Sequence, residues 1–268
     1  MILEGDIMYG AIIGDLAGSI YEYNQFKKVE PVKMNKIIED NAFISDDTIL
    51  TMSLIDSILN KKCDYYNTLK EYIIKYNNLL PKDIPYFKTM FSPGIMKWVN
   101  SDGFGNSLGN GCMMRISPVG YLFDREEDVI ENVRKATIPT HNNPDSIKCA
   151  TTIALIIYYL RKGLSRNDII KKLELVIKYN KFTEFNYLAM DTIDNVLYIL
   201  FNSNSFEDAI KSSLLMGGDT DTNTCIVGSM AEALYGINDQ LIREANNYLP
   251  SEFKKLLKCA YRRINNIK

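Results

Sequence analysis

Apolar residues recur at helical spacing along most of the chain, and strict apolar–polar alternation is scarce. In "TTIALIIYYLRKGL" at 151–164 the apolar positions run around most of the helical circumference, which predicts a helix buried on nearly all sides. "DTILTMSLIDSILNKK" at 47–62 reads the same way. "SFEDAIKSSLLMGG" at 205–218 opens on a Ser-x-x-Asp capping pattern and stops at glycine. The stretches 125–137, 165–180 and 238–249 are amphipathic with polar faces and are expected on the outside. No Asn-Gly turn joins two alternating runs, so no hairpin is predicted. The pattern predicts an all-α fold of about ten to thirteen helices, from typical helix length. With no long linker, low-complexity tract or repeat, one domain over residues 1–268 is expected. Irregular stretches remain at 23–44, 79–111 and 138–144, and long loops in a compact domain are where function usually sits.

Composition narrows the class without naming a chemistry. The chain has 268 residues, 46% of them hydrophobic, enough for a sizeable core. Its 31 basic and 33 acidic residues are well mixed, which does not favour nucleic acid or an anionic membrane as a partner. The five cysteines are odd in number and form no Cys-x-x-Cys pair, which argues against a disulfide framework or a thiolate zinc site and for a reducing cytosol. Glu4 and Asp6 stand where a signal peptide would be basic, and Asp15 interrupts the apolar run that follows. Neither a signal peptide nor a membrane span is expected, and the protein is read as cytoplasmic.

Chemistry concentrates in a few short stretches. "GGDTDTNT" at 217–224 places two carboxylates one residue apart after a glycine pair. Asp219, Asp221 and Asn223 match the first ligands of an EF-hand loop, but Thr224 stands where that loop needs glycine and Met230 where it needs glutamate. "SDDT" at 45–48 has the same character and also precedes an apolar helix. Each stretch admits two readings, a capped helix start or a set of oxygen ligands. Four such acids converging without a cation would repel strongly, since two like charges ~4 Å apart cost roughly 4 kcal/mol at an intermediate dielectric. An all-oxygen set favours a hard ion such as Mg²⁺ or Mn²⁺ over zinc. In "GAIIGDLAGSIYE", Gly10, Gly14 and Gly18 fall on one helical face and imply close packing, with Glu22 just beyond; close packing does not explain Asp15. "SLGNGCMMRISPVG" at 107–120 is a glycine-rich loop that lacks both the Rossmann and the Walker A spacing. The single histidine, His141, lies in "PTHNNPDS", and one histidine alone supports no nucleophilic triad.

Taken together and in order, "GAIIGDLAGSIYE", "SDDT", "GNGCMMRISPVG", "THNNPDS" and "GGDTDT…GSMAEALYG" resemble the ADP-ribosylglycohydrolase family over residues 9–236. The resemblance implies an all-α compact multi-helix bundle of that family's type, two Mg²⁺ ions (Mn²⁺ as the alternative) and removal of ADP-ribose from a modified acceptor. By matched position it implies Ser45, Asp46, Asp47, Asp219, Asp221 and Thr222 as metal ligands, serine replacing the family's usual threonine at 45. Glu22 matches a glutamate that approaches the metals and the scissile bond, and is the candidate acid/base. Ser107, Gly109, Asn110, Gly111, Met114 and His141 match positions around the ADP-ribose cleft, and Arg115 reads as structural. One departure stands out: where many relatives carry a glycine-rich stretch near the diphosphate, this chain has "FSPGIMKW" with only Gly94. The expected partner is an ADP-ribosylated protein or small molecule, and a monomer is expected. The alternative class is a catalytically silent ADP-ribose-binding or structural, crystallin-like relative.

Overall fold

The computed structural model describes residues 7–80 and 89–267, with side chains to residue 265. Glu4, Asp6 and part of the expected 79–111 loop, residues 81–88, lie outside the described residues. Among the described residues the chain is all-α. In order the helices are α1 (Gly10–Gly18), α2 (Glu22–Gln25), α3 (Asp46–Asn60), α4 (Tyr65–Tyr76), α5 (Pro93–Val99), α6 (Gly111–Met114), α7 (Ser117–Leu122) and α8 (Glu126–Thr137). They continue with α9 (Pro144–Arg161), α10 (Arg166–Lys172), α11 (Ala189–Asn202), α12 (Phe206–Met216), α13 (Thr220–Tyr235), α14 (Asp239–Asn246) and α15 (Ser251–Ile267). Instead of strands there are two isolated bridges, Asn106 with His141 and Gly109 with Leu188.

The apolar runs at 47–62, 151–164 and 205–218 become α3, the greater part of α9, and α12. Ser45, Asp64, Ser92, Asn143, Ser165, Ser205 and Asn238 each accept a backbone N–H in the first turn of the helix that follows. The helix count exceeds the expected range because α2, α5, α6 and α7 are one- or two-turn pieces too short to show a period. Two of them lie where the sequence predicts irregular backbone: α2 opens the 23–44 region, and "FSPGIMKW" folds into α5, with Ser92 as cap and Pro93 in the first turn. The expected helix over 165–180 stops at Lys172, and Glu174 has a φ of 50°.

Helices α1 and α13 lie at the centre, with α3, α9, α11 and α12 packed around them. They meet backbone to backbone. A Cβ on Gly10, Gly14 or Gly18 would run into the carbonyls of Gly228, Thr224 and Thr220 respectively. The small-residue spacing in the sequence therefore does what it predicted, and it brings the end of α1 beside the start of α13. Glu232 fastens the other end: its carboxylate accepts from the backbone N–H groups of Met8 and Gly10, each at 2.7 Å. Burial pushes that carboxyl up to about 7.

Because the atoms facing Gly14 are backbone, they cannot swing aside. Gly14→Ala is expected to lower stability by about 1–3 kcal/mol or more, as overpacking does, despite alanine's better helix propensity. Urea unfolding measures this; an unchanged midpoint would mean that the helices separate without cost.

Candidate active site

The site is built where α1, α2, α3 and α13 meet the loop before α6. The turn before α13 needs two left-handed residues, and Gly217 and Gly218 supply them with φ of 75° and 82°. Gln25 at the end of α2 binds this turn. Its Oε1 accepts from Gly218 N and Glu30 N, each at 3.0 Å, and its Nε2 donates to Glu30 O at 3.1 Å. The one-turn helix that carries Glu22 is thereby fixed against the loop that carries Asp219 and Asp221.

Whether these acids are caps or ligands is now legible. Asp219 occupies the N-cap position of α13, yet its side chain makes no capping bond; its Oδ2 accepts from Asn110 Nδ2 at 2.8 Å instead. At α3 the cap is Ser45, whose Oγ accepts from Asp47 N at 3.1 Å. The start of the same helix is held from outside by Asp15, whose Oδ2 accepts from Ser45 N (2.9 Å), Thr48 N (3.1 Å) and Thr48 Oγ1 (2.5 Å). Asp221 Oδ1 accepts from Thr222 N at 2.9 Å in the first turn of α13, but capping does not account for Asp46, Asp47 or Asp219.

These carboxylates converge. One oxygen each from Asp15, Asp47 and Asp221 lie within 4.8 Å of one another, and so do oxygens of Glu22, Asp219 and Asp221. Asp221 belongs to both groups. Ser45 and Thr222 join at Asp47: Ser45 Oγ donates to its Oδ2 at 3.1 Å and Thr222 Oγ1 at 3.3 Å. Asp46 is not in either group, though its charge is felt with those of Asp15 and Asp219. Glu22 is half-buried, whereas Asp15, Asp47, Asp219 and Asp221 are buried.

Among the described residues no ion pair reaches any of these acids. Burial, reinforced by mutual repulsion, pushes Asp47, Asp221 and Glu22 well above the usual carboxylate range. Burial also raises Asp219, and takes Asp15 to about 6 and Asp46 to about 7. Two buried oxygens, Asp15 Oδ1 and Asp47 Oδ1, have no hydrogen-bond partner. Buried, unpaired carboxylates with unpartnered oxygens are costly by themselves and fit a bound cation. The donor set is oxygen throughout, which suits a hard divalent ion.

The glycine loop closes another side. Ser107 Oγ accepts from Gly109 N at 3.1 Å, Asn110 N donates to Tyr187 O at 2.8 Å, and Ala189 N donates to Leu108 O at 2.9 Å. Ser107 is exposed, Gly109 and Asn110 are buried, and Gly111 is half-buried. His141 and Met114 are buried and pack near Gly111. The His141 ring lies 3.5 Å from where a Cβ of Gly111 would sit, and the Met114 methyl lies 3.9 Å from the same point. Met114 Sδ also meets Thr222 Oγ1 at 4.0 Å, so it packs between the loop and the acids. Burial, with the Arg115 charge nearby, holds His141 well below its ordinary value, so the ring is neutral. Arg115 is buried and donates from Nη2 to Thr140 Oγ1 at 2.6 Å, and that hydroxyl pairs with His141 Nδ1 at 2.7 Å. "FSPGIMKW" supplies no phosphate-type loop. Its Trp98 is buried and donates from Nε1 to Gly103 O at 3.1 Å, anchoring the turn that leads into the glycine loop.

Sequence reasoning left Asp15 without a role and missed Gln25 and Thr140. An acid inside an otherwise apolar helix was the one signal available for Asp15. Gln25 and Thr140 carry none: Gln25 binds backbone atoms of Glu30 and Gly218, and Thr140 matters because it joins the neighbouring His141 to the distant Arg115.

The ADP-ribosylglycohydrolase family model matches residues 6–258. ADP-ribosylarginine hydrolase Tri1 of Pseudomonas putida (strain GB-1) is 22% identical over 265 residues, covering 86% of this chain and 70% of that protein. ADP-ribosylhydrolase ARH3 of Danio rerio is 22% identical over 312 residues, covering 86% of this chain and 82% of that protein. Among solved structures, an "ADP-ribosylglycohydrolase-related protein complex" chain superimposes with a TM-score of 0.67 at 18% identity, covering 94% of this chain and 96% of that one; this supports the fold alone. No helix among the described residues is long and apolar enough to cross a membrane.

Proposed function

The chain belongs to the ADP-ribosylglycohydrolase family, and from that premise we propose that it is a divalent-cation-dependent hydrolase that frees ADP-ribose from a modified acceptor by cleaving the bond at the ribose anomeric carbon. The observation that carries this reading is the convergence of Asp15, Glu22, Asp47, Asp219 and Asp221, two of them with unpartnered buried oxygens, in the absence of any ion pair to them among the described residues.

Ser45, Asp46, Asp47, Asp219, Asp221 and Thr222 are proposed to hold two Mg²⁺ ions, and the place of Asp221 in both oxygen groups supports two ions over one. When bound, such ions hold ribose hydroxyls and lower the pKa of bound water. Glu22 stands on a helix locked by Gln25, beside Asp219 and Asp221. Its role in this reading is to carry the proton between water and leaving group, as a carboxylate does when a glycosidic bond breaks with oxocarbenium character.

Ser107, Gly109, Asn110 and Gly111 form the wall proposed to receive ADP-ribose, and Asn110 ties that wall to the acids through Asp219. The amides of Gly109 and Asn110 are already used within the protein. Phosphate recognition is therefore assigned to other donors of the loop. His141 and Met114 act from beneath in this reading, fixing the loop rather than touching the ligand.

The name of one relative makes ADP-ribosylarginine the first acceptor to test; ADP-ribosylated serine and small-molecule conjugates complete the panel. The test is release of free ADP-ribose from each in the presence of Mg²⁺. Release from at least one supports the reading. Calorimetric binding of ADP-ribose with no release from any would indicate a silent, ligand-binding relative.

A further inference from the structure

The sequence-based ligand set contains no residue from α1, yet α1 delivers a carboxylate into the same place. Asp15 is fully buried. Its two oxygens have different surroundings. Oδ2 is saturated by three donors at the start of α3: Ser45 N, Thr48 N and Thr48 Oγ1. Oδ1 is buried with no partner at all. One oxygen of this carboxylate lies within 4.8 Å of oxygens of both Asp47 and Asp221. Asp47 Oδ1 is likewise buried and unpartnered.

A residue that only capped α3 would need one acceptor oxygen. A second anionic oxygen, buried and unsatisfied among other carboxylates, would then be a net cost. We infer that Asp15 is itself part of the cation site: Oδ2 clamps the helix that carries Ser45, Asp46 and Asp47, while Oδ1 faces the ion shared with Asp47 and Asp221. This rests on the cation site proposed above. It adds to it a residue that links the glycine-packed core, through α1, directly to the ion. Rigid placement of a ligand by a packed scaffold is what tight binding of a small, geometrically demanding ion requires.

The two roles separate in Asp15→Asn. Only the amide oxygen can accept from the three α3 donors, so the amide –NH₂ must take the position of Oδ1. There it donates to Asp47 and Asp221 when no ion is bound, and opposes a cation when one arrives. The expected result, from Mn²⁺ titration followed by calorimetry and by melting in chelator, is binding weakened about tenfold or more together with a metal-free Tm above that of the unaltered protein. Thr48→Val removes one donor from Oδ2 and leaves Oδ1 untouched. Two of the three donors to Oδ2 remain, so the substitution should lower Tm and cost less Mn²⁺ affinity than Asp15→Asn does.

An Asp15→Asn protein that melts lower, or does not fold, or binds Mn²⁺ as before would overturn the inference and leave Asp15 as a cap. Equal weakening by Thr48→Val would overturn it too, since only the clamp would then matter. If the unaltered protein binds no Mn²⁺ or Mg²⁺, it is the proposed cation site that fails, a result separable from either outcome.

Discussion

Glu22→Gln is expected to lower the turnover rate by roughly 10²–10⁴-fold while leaving ADP-ribose affinity largely intact, the usual worth of a positioned proton carrier. Glutamine keeps the size and much of the hydrogen bonding of Glu22 but cannot release a proton. The side chain is held by its backbone: α2 is one turn long, and Gln25 at its end is bound to Gly218 and Glu30. The substituted amide therefore occupies the same place. Glu22 also shares an oxygen group with Asp219 and Asp221, so the same variant must be titrated with Mg²⁺. Loss of rate with cation affinity retained assigns the proton role. Parallel loss of both would make Glu22 a ligand first. A near-unaltered rate at saturating substrate would remove it from the chemistry.

Asp221→Asn should have the other large effect, because Asp221 is the carboxylate common to both oxygen groups. Binding of Mg²⁺ should weaken more than roughly a hundredfold, beyond what loss of an outer-shell partner costs, and activity should disappear with it. The fold should survive, since α1 meets the start of α13 through backbone atoms, which the substitution leaves in place.

In chelator the sign for stability is opposite. Asp15 titrates near 6 and Asp46 near 7, both above the ordinary aspartate value of 3.8. Between that value and about 7 the folded protein holds protons that the unfolded chain has released. Metal-free stability therefore falls as pH rises across this window. Asp221→Asn removes one of the repelling charges, so its metal-free Tm should exceed that of the unaltered protein at pH 8 and differ less at pH 5. Thermal melts at the two pH values, with and without Mg²⁺, check both signs. A lower Tm for the variant in chelator at pH 8 would show that Asp221 acts through packing or hydrogen bonding instead of charge.

How much of this is legible in the sequence differs from one residue to the next. Helical period exposes α3, α9 and α12 because each buries a wide apolar face. The Gly10, Gly14 and Gly18 spacing foretells a close helix contact, and the partner proves to be α13. The acids at 46–47 and 219–221 stand out because hydroxyl-flanked carboxylate pairs are unusual before apolar helices. What cannot be read is which of them act as caps. That depends on Asp15 reaching thirty residues along the chain to Ser45, and on Asn110 drawing Asp219 away from the start of its own helix. The short helices α2 and α5 look like loop in the sequence because one or two turns carry no period; their ends are set by Gln25 and Ser92. Motif position points to His141 and Met114 as cleft residues, and the structure shows both buried and packed near Gly111.

The most direct measurement follows free ADP-ribose by chromatography as the purified protein is mixed with ADP-ribosylarginine, ADP-ribosylserine and small-molecule conjugates, each with Mg²⁺ and again in excess chelator. Release from at least one substrate, abolished by chelator, restored by adding Mg²⁺ back and absent in Asp221→Asn, is the expected result. Release that continues in chelator, or that Asp221→Asn retains, would contradict a cation-dependent hydrolase built on these carboxylates.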